Sequence, residues 1–420
     1  MLTTELHTNQ IPLLYEQFAK AIGERHWKNR VKRCEEEIRG NPLLQEILQE
    51  ENRLAFQLTK LAKILEHNAW ESTPMEVTRE LYPAATFMAQ TLSLVEGLQH
   101  PHGLRFIRRI HGAFKNPDDM RGLSLELGAA THFIKAGLSV EWQSSGEDKG
   151  FDLLVDSNGV APFEVECKSI SSDKGRKIHQ REARDFFRLV DLALKEIGHS
   201  FEGGISMVLT VENRLPSSYK ERINLAKKIA SAMNGKRSRL DSENFKIEVK
   251  TFDPDRLINI HNAEDVQRRL LVEEITESLN CNSYIRQNRV GDISILTIKS
   301  SKDDSFVDAI FETLKDAADK QFSKQRAGVL IVELFGIDSV QMHALAEQDA
   351  TSSPTSLRVR TSALLDSQTR NHIAQIYFSS RQNFSKRNDA SFTSNATTYF
   401  FENKSSSFWN TRFTTLFTDG

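Results

Sequence analysis

Apolar residues in the first hundred positions recur at helical spacing: Leu54, Leu58, Leu61 and Leu65 share one face and charged residues fill the rest. The pattern predicts helices over residues 11 to about 112, with RVKRCEEEIR (30–39) as a solvated face stabilised by neighbouring opposite charges. It restarts at NPDDMRG, where Asn116 can cap a helix, Pro117 suits its first position, and Asp118 and Asp119 oppose the positive end of its dipole. Gly137 fits the stop of that helix. The period then changes from helical to alternating. SVEWQ, GFDLLV and APFEVECK read as short strands separated by the turn-rich SSGEDKG and DSNG. A helix over about 177–198, an apolar strand ISMVLTV (205–211) and a basic helix at 217–234 complete the order α-β-β-β-α-β-α. KIEVKTF, ISILTI, AGVLIVEL and HIAQIYFSS continue the alternation over 245–420, and their apolar runs suggest buried strands.

The short strands carry charges that need an explanation. Alternation places Phe163, Val165 and Cys167 on one face of the third strand, toward a core, and Glu164, Glu166 and Lys168 on the other. The same rule separates Asp152 from Phe151 and Leu153, so its carboxylate can project toward Glu166. In the preceding helix Leu123, Leu127, Ala130 and Ile134 form the expected buried stripe, with Glu126 about 60° to one side of it. His132 falls on the opposite face and is expected to be exposed. Converging carboxylates repel unless a hard divalent cation sits between them, and Mg²⁺ typically takes one or two carboxylates plus water. Such a site, with a lysine to orient a nucleophile or stabilise charge on a phosphoryl oxygen, suits phosphodiester hydrolysis. The alternative is an edge strand whose Glu164, Glu166 and Lys168 face solvent.

Length and composition narrow the setting. A chain of 420 residues is expected to form two or three units, each with its own core. No apolar run approaches the roughly 18 residues that a membrane-spanning helix needs, and the N-terminal stretch has no secretory pattern, so a cytoplasmic protein is expected. Cys34, Cys167 and Cys281 are widely spaced, which supports neither a disulfide framework nor a structural zinc site. The net charge of −2 excludes a wholesale polyanion binder, so any nucleic-acid surface must be local.

The order of a helix bearing Glu126, a strand bearing Asp152 and then Glu166-Cys167-Lys168 resembles the PD-(D/E)xK nuclease superfamily, over roughly residues 117 to 235. The resemblance implies an α/β fold with a restriction-endonuclease-like αβββαβ core. A helical N-terminal region (1–115) would precede the nuclease-like domain (116–240), and an additional α/β region (241–420) would follow it. It further implies that Asp152 and Glu166 bind Mg²⁺, with Mn²⁺ as a substitute, that Lys168 assists the attacking water, and that Glu126 completes the acidic site. Gly150-Phe151 stands where the superfamily often has a proline before the aspartate. Two further ExK tripeptides, Glu248-Val249-Lys250 and Glu402-Asn403-Lys404, follow no acid-bearing helix and serve as internal controls.

Immediately after the site, residues 168–188 hold seven Lys and Arg against three acids. Lys174, Arg176 and Lys177, ahead of a predicted helix, are candidate phosphate contacts, and Ser171, Ser172 and Gly175 would let that loop approach a backbone closely. The runs at 219–239 and 103–115 offer further basic surface. The expectation is a metal-dependent nuclease acting on DNA, with the flanking regions serving a protein partner or a homodimer; their extent resembles nucleases of microbial restriction or anti-phage defence. The rival expectation is a catalytically silent scaffold of the same fold that binds nucleic acid or protein.

Overall fold

This computed structural model describes residues 6–97, 102–143, 150–157, 160–171, 173–196, 203–234, 238–257, 265–278, 281–287, 291–335, 337–351, 353–380, 383–386, 392–395 and 397–415. Most of the predicted SSGEDKG turn, the end of DSNG and Ser172 lie outside them. The fold is mixed α/β. In chain order the strands among the described residues are β1 (Ser139–Trp142), β2 (Leu153–Ser157), β3 (Val160–Ile170), β4 (Gly204–Val211), β5 (Arg239–Ser242), β6 (Phe245–Phe252) and β7 (Asn282–Gln287). They continue with β8 (Ile293–Ser300), β9 (Gly328–Leu334), β10 (Ile373–Ser379), β11 (Asn383–Lys386), β12 (Phe392–Asn395) and β13 (Thr398–Glu402). Among the described residues no helix is long and apolar enough to cross a membrane.

Two larger sheets organise the chain. One has the order β1-β2-β3-β9-β10-β13 and the other β5-β6-β4-β8-β7, while β11 and β12 pair separately. The chain divides accordingly into a unit of Met1–Val31, Glu51–Ser172 and Val307–Gly420 and a unit of Lys32–Glu50 and Asp173–Phe306. This division differs from the boundaries read in the sequence at 115/116 and 240/241. ISMVLTV does form a strand, β4, but it pairs with β6 and β8. The place beside β3 belongs to β9, in parallel register from Glu164–Gly328 to Ile170–Leu334. The first sheet takes β1, β2 and β3 after the helix Pro117–Lys135, and β9 after the helix Phe306–Lys320. Residues 173–306 stand between its halves in sequence. The physical reason is that ISMVLTV and GVLIVEL are equally apolar, so alternation alone cannot say which of them completes a given ladder.

In the first unit the helix Pro117–Lys135 begins and ends as its sequence dictates. The Asn116 side chain accepts from the Asp118 N–H at 3.3 Å and Pro117 takes the first turn. At the other end Gly137 adopts φ 81°, and the N–H groups of Gly137 and Leu138 reach back to the carbonyls of Ile134 and Phe133, both at 3.0 Å. Its apolar stripe (Leu123, Leu127, Ala130 and Phe133) packs with Leu153, Val155, Phe163, Val165 and Cys167 and with the N-terminal helices. Phe163 meets Phe133 and Phe413 edge-on, at 5.7 and 5.5 Å between ring centres. Ile134 and His132 are half-buried, so His132 is less exposed than its helical position suggests.

The second unit is built on β4, with the helices Gln180–Glu196 and Tyr219–Asn234 covering it through Phe186, Phe187, Val190, Ile229 and Met233. Its earlier segment joins at the edge strand β7. Buried Asn41 donates to the Ser283 carbonyl and accepts from the Ile285 N–H, each at 3.3 Å, which occupies backbone groups that an edge strand leaves open.

Candidate active site

Asp152 sits at the mouth of β2. Its N–H donates to the Val165 carbonyl at 3.0 Å, and Leu153 is the first residue in register with β3, opposite Val165. Antiparallel pairing thus sets Asp152 across from Glu166. Its Oδ2 accepts from the Cys167 N–H at 2.8 Å, which fixes the carboxyl against β3. Burial, together with the charges of Glu126 and Glu166, pushes its pKa up to about 8, against the opposing pull of the Cys167 N–H and Lys168.

Glu166 is only 2% exposed. Its Oε1 accepts from Lys168 Nζ at 2.5 Å; the Asp152 carboxyl lies within hydrogen-bonding reach of Glu166, and no other group partners the buried Oε2 among the described residues. Burial raises its pKa and the Lys168 ammonium opposes the rise. Glu164, two residues earlier, is fully buried as well. It accepts from the Ser323 N–H at 2.8 Å, from the Ser323 hydroxyl, and from Arg326 Nη1 at 3.2 Å. Glu164 is therefore a structural clamp on the segment before β9. These burials overturn the edge-strand alternative, because β3 lies between β2 and β9 and does not turn its charged residues to solvent.

Glu126, 5% exposed, is gripped from the neighbouring helix His102–Ala113. Arg109 Nη1 donates to Oε2 at 2.7 Å and Nη2 donates to Oε1, the two-pronged geometry that a guanidinium makes with a carboxylate. The sequence reading of the site did not include Arg109. It flanks the buried stripe of Phe106 and Ile110 much as Glu126 flanks Leu123 and Leu127. Two consecutive helices joined by Phe114–Asn116 bring such flanking positions together, and that was the available signal.

A cleft of about 560 Å³ opens beside these groups, lined by Arg109, Gly112, Asp118, Asp119, Gly122, Cys167, Lys168 and Ser169. The structure thus brings Asp152, Glu166 and Lys168 together, with Glu126 near enough for its charge to act on both acids. Among the described residues no group of three or more His, Cys, Asp and Glu is arranged to hold a metal ion. Two facing carboxyls, Glu166 buried and Asp152 half-buried, fit the smaller carboxylate demand of Mg²⁺, which keeps several waters.

Lys174, Arg176 and Lys177 belong to the second unit. Arg176 Nε lies 3.7 Å from Asp304 Oδ2 and the Lys177 N–H donates to Asp304 Oδ1 at 2.8 Å, while Lys174 is exposed. Gly175, at φ 78°, lies so close to Ser305 that an added Cβ would be 2.6 Å from its carbonyl oxygen. The close approach expected for a ligand backbone is made by this chain's own backbone. The internal controls differ from β3 as anticipated: Glu248 pairs in register with Arg239 and Val208, and Glu402 with Gln375, so neither faces an acid across its ladder. Comparison with family models, with curated proteins and with solved structures finds no match.

Proposed function

We propose that this chain is a metal-dependent nuclease that hydrolyses phosphodiester bonds in DNA, with a PD-(D/E)xK type of site on a restriction-endonuclease-like core. The reading is carried by one observation: the half-buried carboxyl of Asp152, at the mouth of β2, faces the buried carboxyl of Glu166 on β3, with the Lys168 ammonium on Glu166 and in a cleft. Asp152 and Glu166 would hold Mg²⁺ or Mn²⁺, which when bound supplies positive charge for a phosphoryl oxygen and acidifies water. Lys168 aligns Glu166 and presents its ammonium to the cleft, where it can orient an attacking water or oppose charge developing on the phosphate. Arg109 fixes the Glu126 carboxylate and is a positioning residue. Cleavage of a labelled duplex by wild type but not by Lys168→Ala or Asp152→Asn, only with divalent metal present, is the expected result; equal cleavage by all three proteins rejects the assignment.

One observation favours a second reading, a nuclease-fold scaffold without catalysis: Arg109 occupies both oxygens of Glu126. Nucleic-acid binding unaffected by Mg²⁺ and by Glu166→Ala, with no cleavage, would select it.

A further inference from the structure

The helix His102–Ala113 presents more to the cleft than its grip on Glu126. Arg105, Arg108, Arg109 and Gly112 are all exposed, and their spacing of three, four and seven residues puts them on one face, with exposed Lys115 just beyond the helix. Arg105 and Arg108 make no ion pair among the described residues, so both guanidinium charges are available to an anion. Arg109 and Gly112 line the cleft together with Lys168, so the arginine stripe runs into the site. The first turns of the helix Pro117–Lys135 also line the cleft, with Asp118, Asp119 and Gly122. Asp118 is neutralised by Arg121. The cleft lining thus holds Arg109 and Lys168 against one acid without an ion pair among the described residues, Asp119.

The glycines are informative. Gly112 and Gly122 both have ordinary helical backbone, and a Cβ built on either would meet no atom within 4 Å. Glycine is an unfavourable helix residue that is usually retained for close packing or an unusual φ. Neither reason applies here, and both positions border the same cleft. What they preserve is open space along its walls, which a chain of phosphodiester groups requires.

We infer that the exposed face Arg105–Arg108–Arg109–Gly112 is the track on which a nucleic-acid phosphate backbone lies as it enters the cleft, Gly112 and Gly122 leaving room for it. The inference rests on the nuclease reading for the nature of the ligand. It places the backbone contact on the first unit.

The test is a salt titration of binding, followed by fluorescence anisotropy of a short labelled DNA duplex, with full-length protein. Arg105→Gln combined with Arg108→Gln is compared with the charge-matched surface pair Lys135→Gln and Lys315→Gln. Two lost phosphate contacts should reduce the slope of log K against log salt by about 1.8, and affinity at about 0.1 M salt should fall on the order of tenfold or more. The control pair should keep the wild-type slope. An unchanged slope in the arginine variant, or an equal fall in the control, overturns the track while leaving the nuclease reading intact. A wild type that binds no nucleic acid overturns both. Reduced slope in a protein that binds but does not cleave supports the track and removes only the catalysis. Gly122→Leu should weaken binding while holding or raising the unfolding temperature; undiminished binding overturns the role given to the glycines.

Discussion

Removing Arg109 tests how the acidic site is assembled. Glu126 is 5% exposed and both its oxygens accept from the guanidinium, so Arg109→Ala leaves a buried carboxylate without its counter-charge. Breaking a fully buried pair in this way costs about 3–5 kcal/mol, while pairs in open solvent contribute about 0–1 kcal/mol. The Arg109 side chain is 42% exposed, which places the expected loss between these limits, at about 2 kcal/mol. Replacing both partners with methionine removes the uncompensated charge, so the double variant should return to within about 1 kcal/mol of wild type. All four tryptophans, Trp27, Trp70, Trp142 and Trp409, lie in the first unit, so tryptophan fluorescence during urea unfolding reports on the unit that holds the pair. With a slope of about 2–3 kcal/mol per molar urea, the single variant should lose roughly 0.7–1 M in its midpoint. A midpoint unchanged to within about 0.2 M, or a double variant whose loss equals the sum of the two single ones, would refute the reasoning.

Further outcomes follow from the same geometry. Because the folded-state pKa of Asp152 is raised from an ordinary carboxylate value to about 8, folding retains a proton that the unfolded chain releases; its contribution to stability is complete below about pH 4 and is lost as pH rises toward 8. Asp152→Asn should therefore stabilise the first unit at pH 8 by about 1–3 kcal/mol and much less at pH 4, as read by tryptophan fluorescence; equal effects at both pH values contradict the shift. Mg²⁺ at roughly ten times its dissociation constant should raise wild-type stability by about 1.4 kcal/mol, and by far less in Glu166→Gln, measured by the same unfolding curves. Gly175→Ala should destabilise the second unit by about 2–4 kcal/mol through strain at positive φ and collision with Ser305, seen as faster hydrogen exchange over 173–177 and 304–306. Asp119→Asn should tighten DNA binding in the salt titration, because it removes a negative charge from the cleft lining.

Local chemistry was legible in the sequence wherever neighbouring residues decide it. The cap at Asn116, the stop at Gly137 and the alternation of Phe163, Val165 and Cys167 with Glu164, Glu166 and Lys168 all depend on contacts within a few residues. Asp152 could be placed opposite Glu166 because a short antiparallel connection fixes the register. What the sequence left open is non-local. The ladder partner of β3 comes from Gly328–Leu334, and nothing in the apolar run of that strand distinguishes it from Gly204–Val211. Glu164 illustrates a second limit, since its period-two position is identical to that of Glu166. Its role as a clamp depends on Ser323 and Arg326, which arrive with β9. Arg109 was legible only as part of a basic run, because its partner lies on the next helix.

The most direct test of the central claim is cleavage of a panel of plasmid, linear duplex, single-stranded DNA and RNA, with and without Mg²⁺ or Mn²⁺, by wild type beside Lys168→Ala. Cleavage of DNA that requires the metal and disappears in the variant is the predicted result. Cleavage that persists in Lys168→Ala, or a folded wild type that binds the panel with metal present and cuts none of it, contradicts the account.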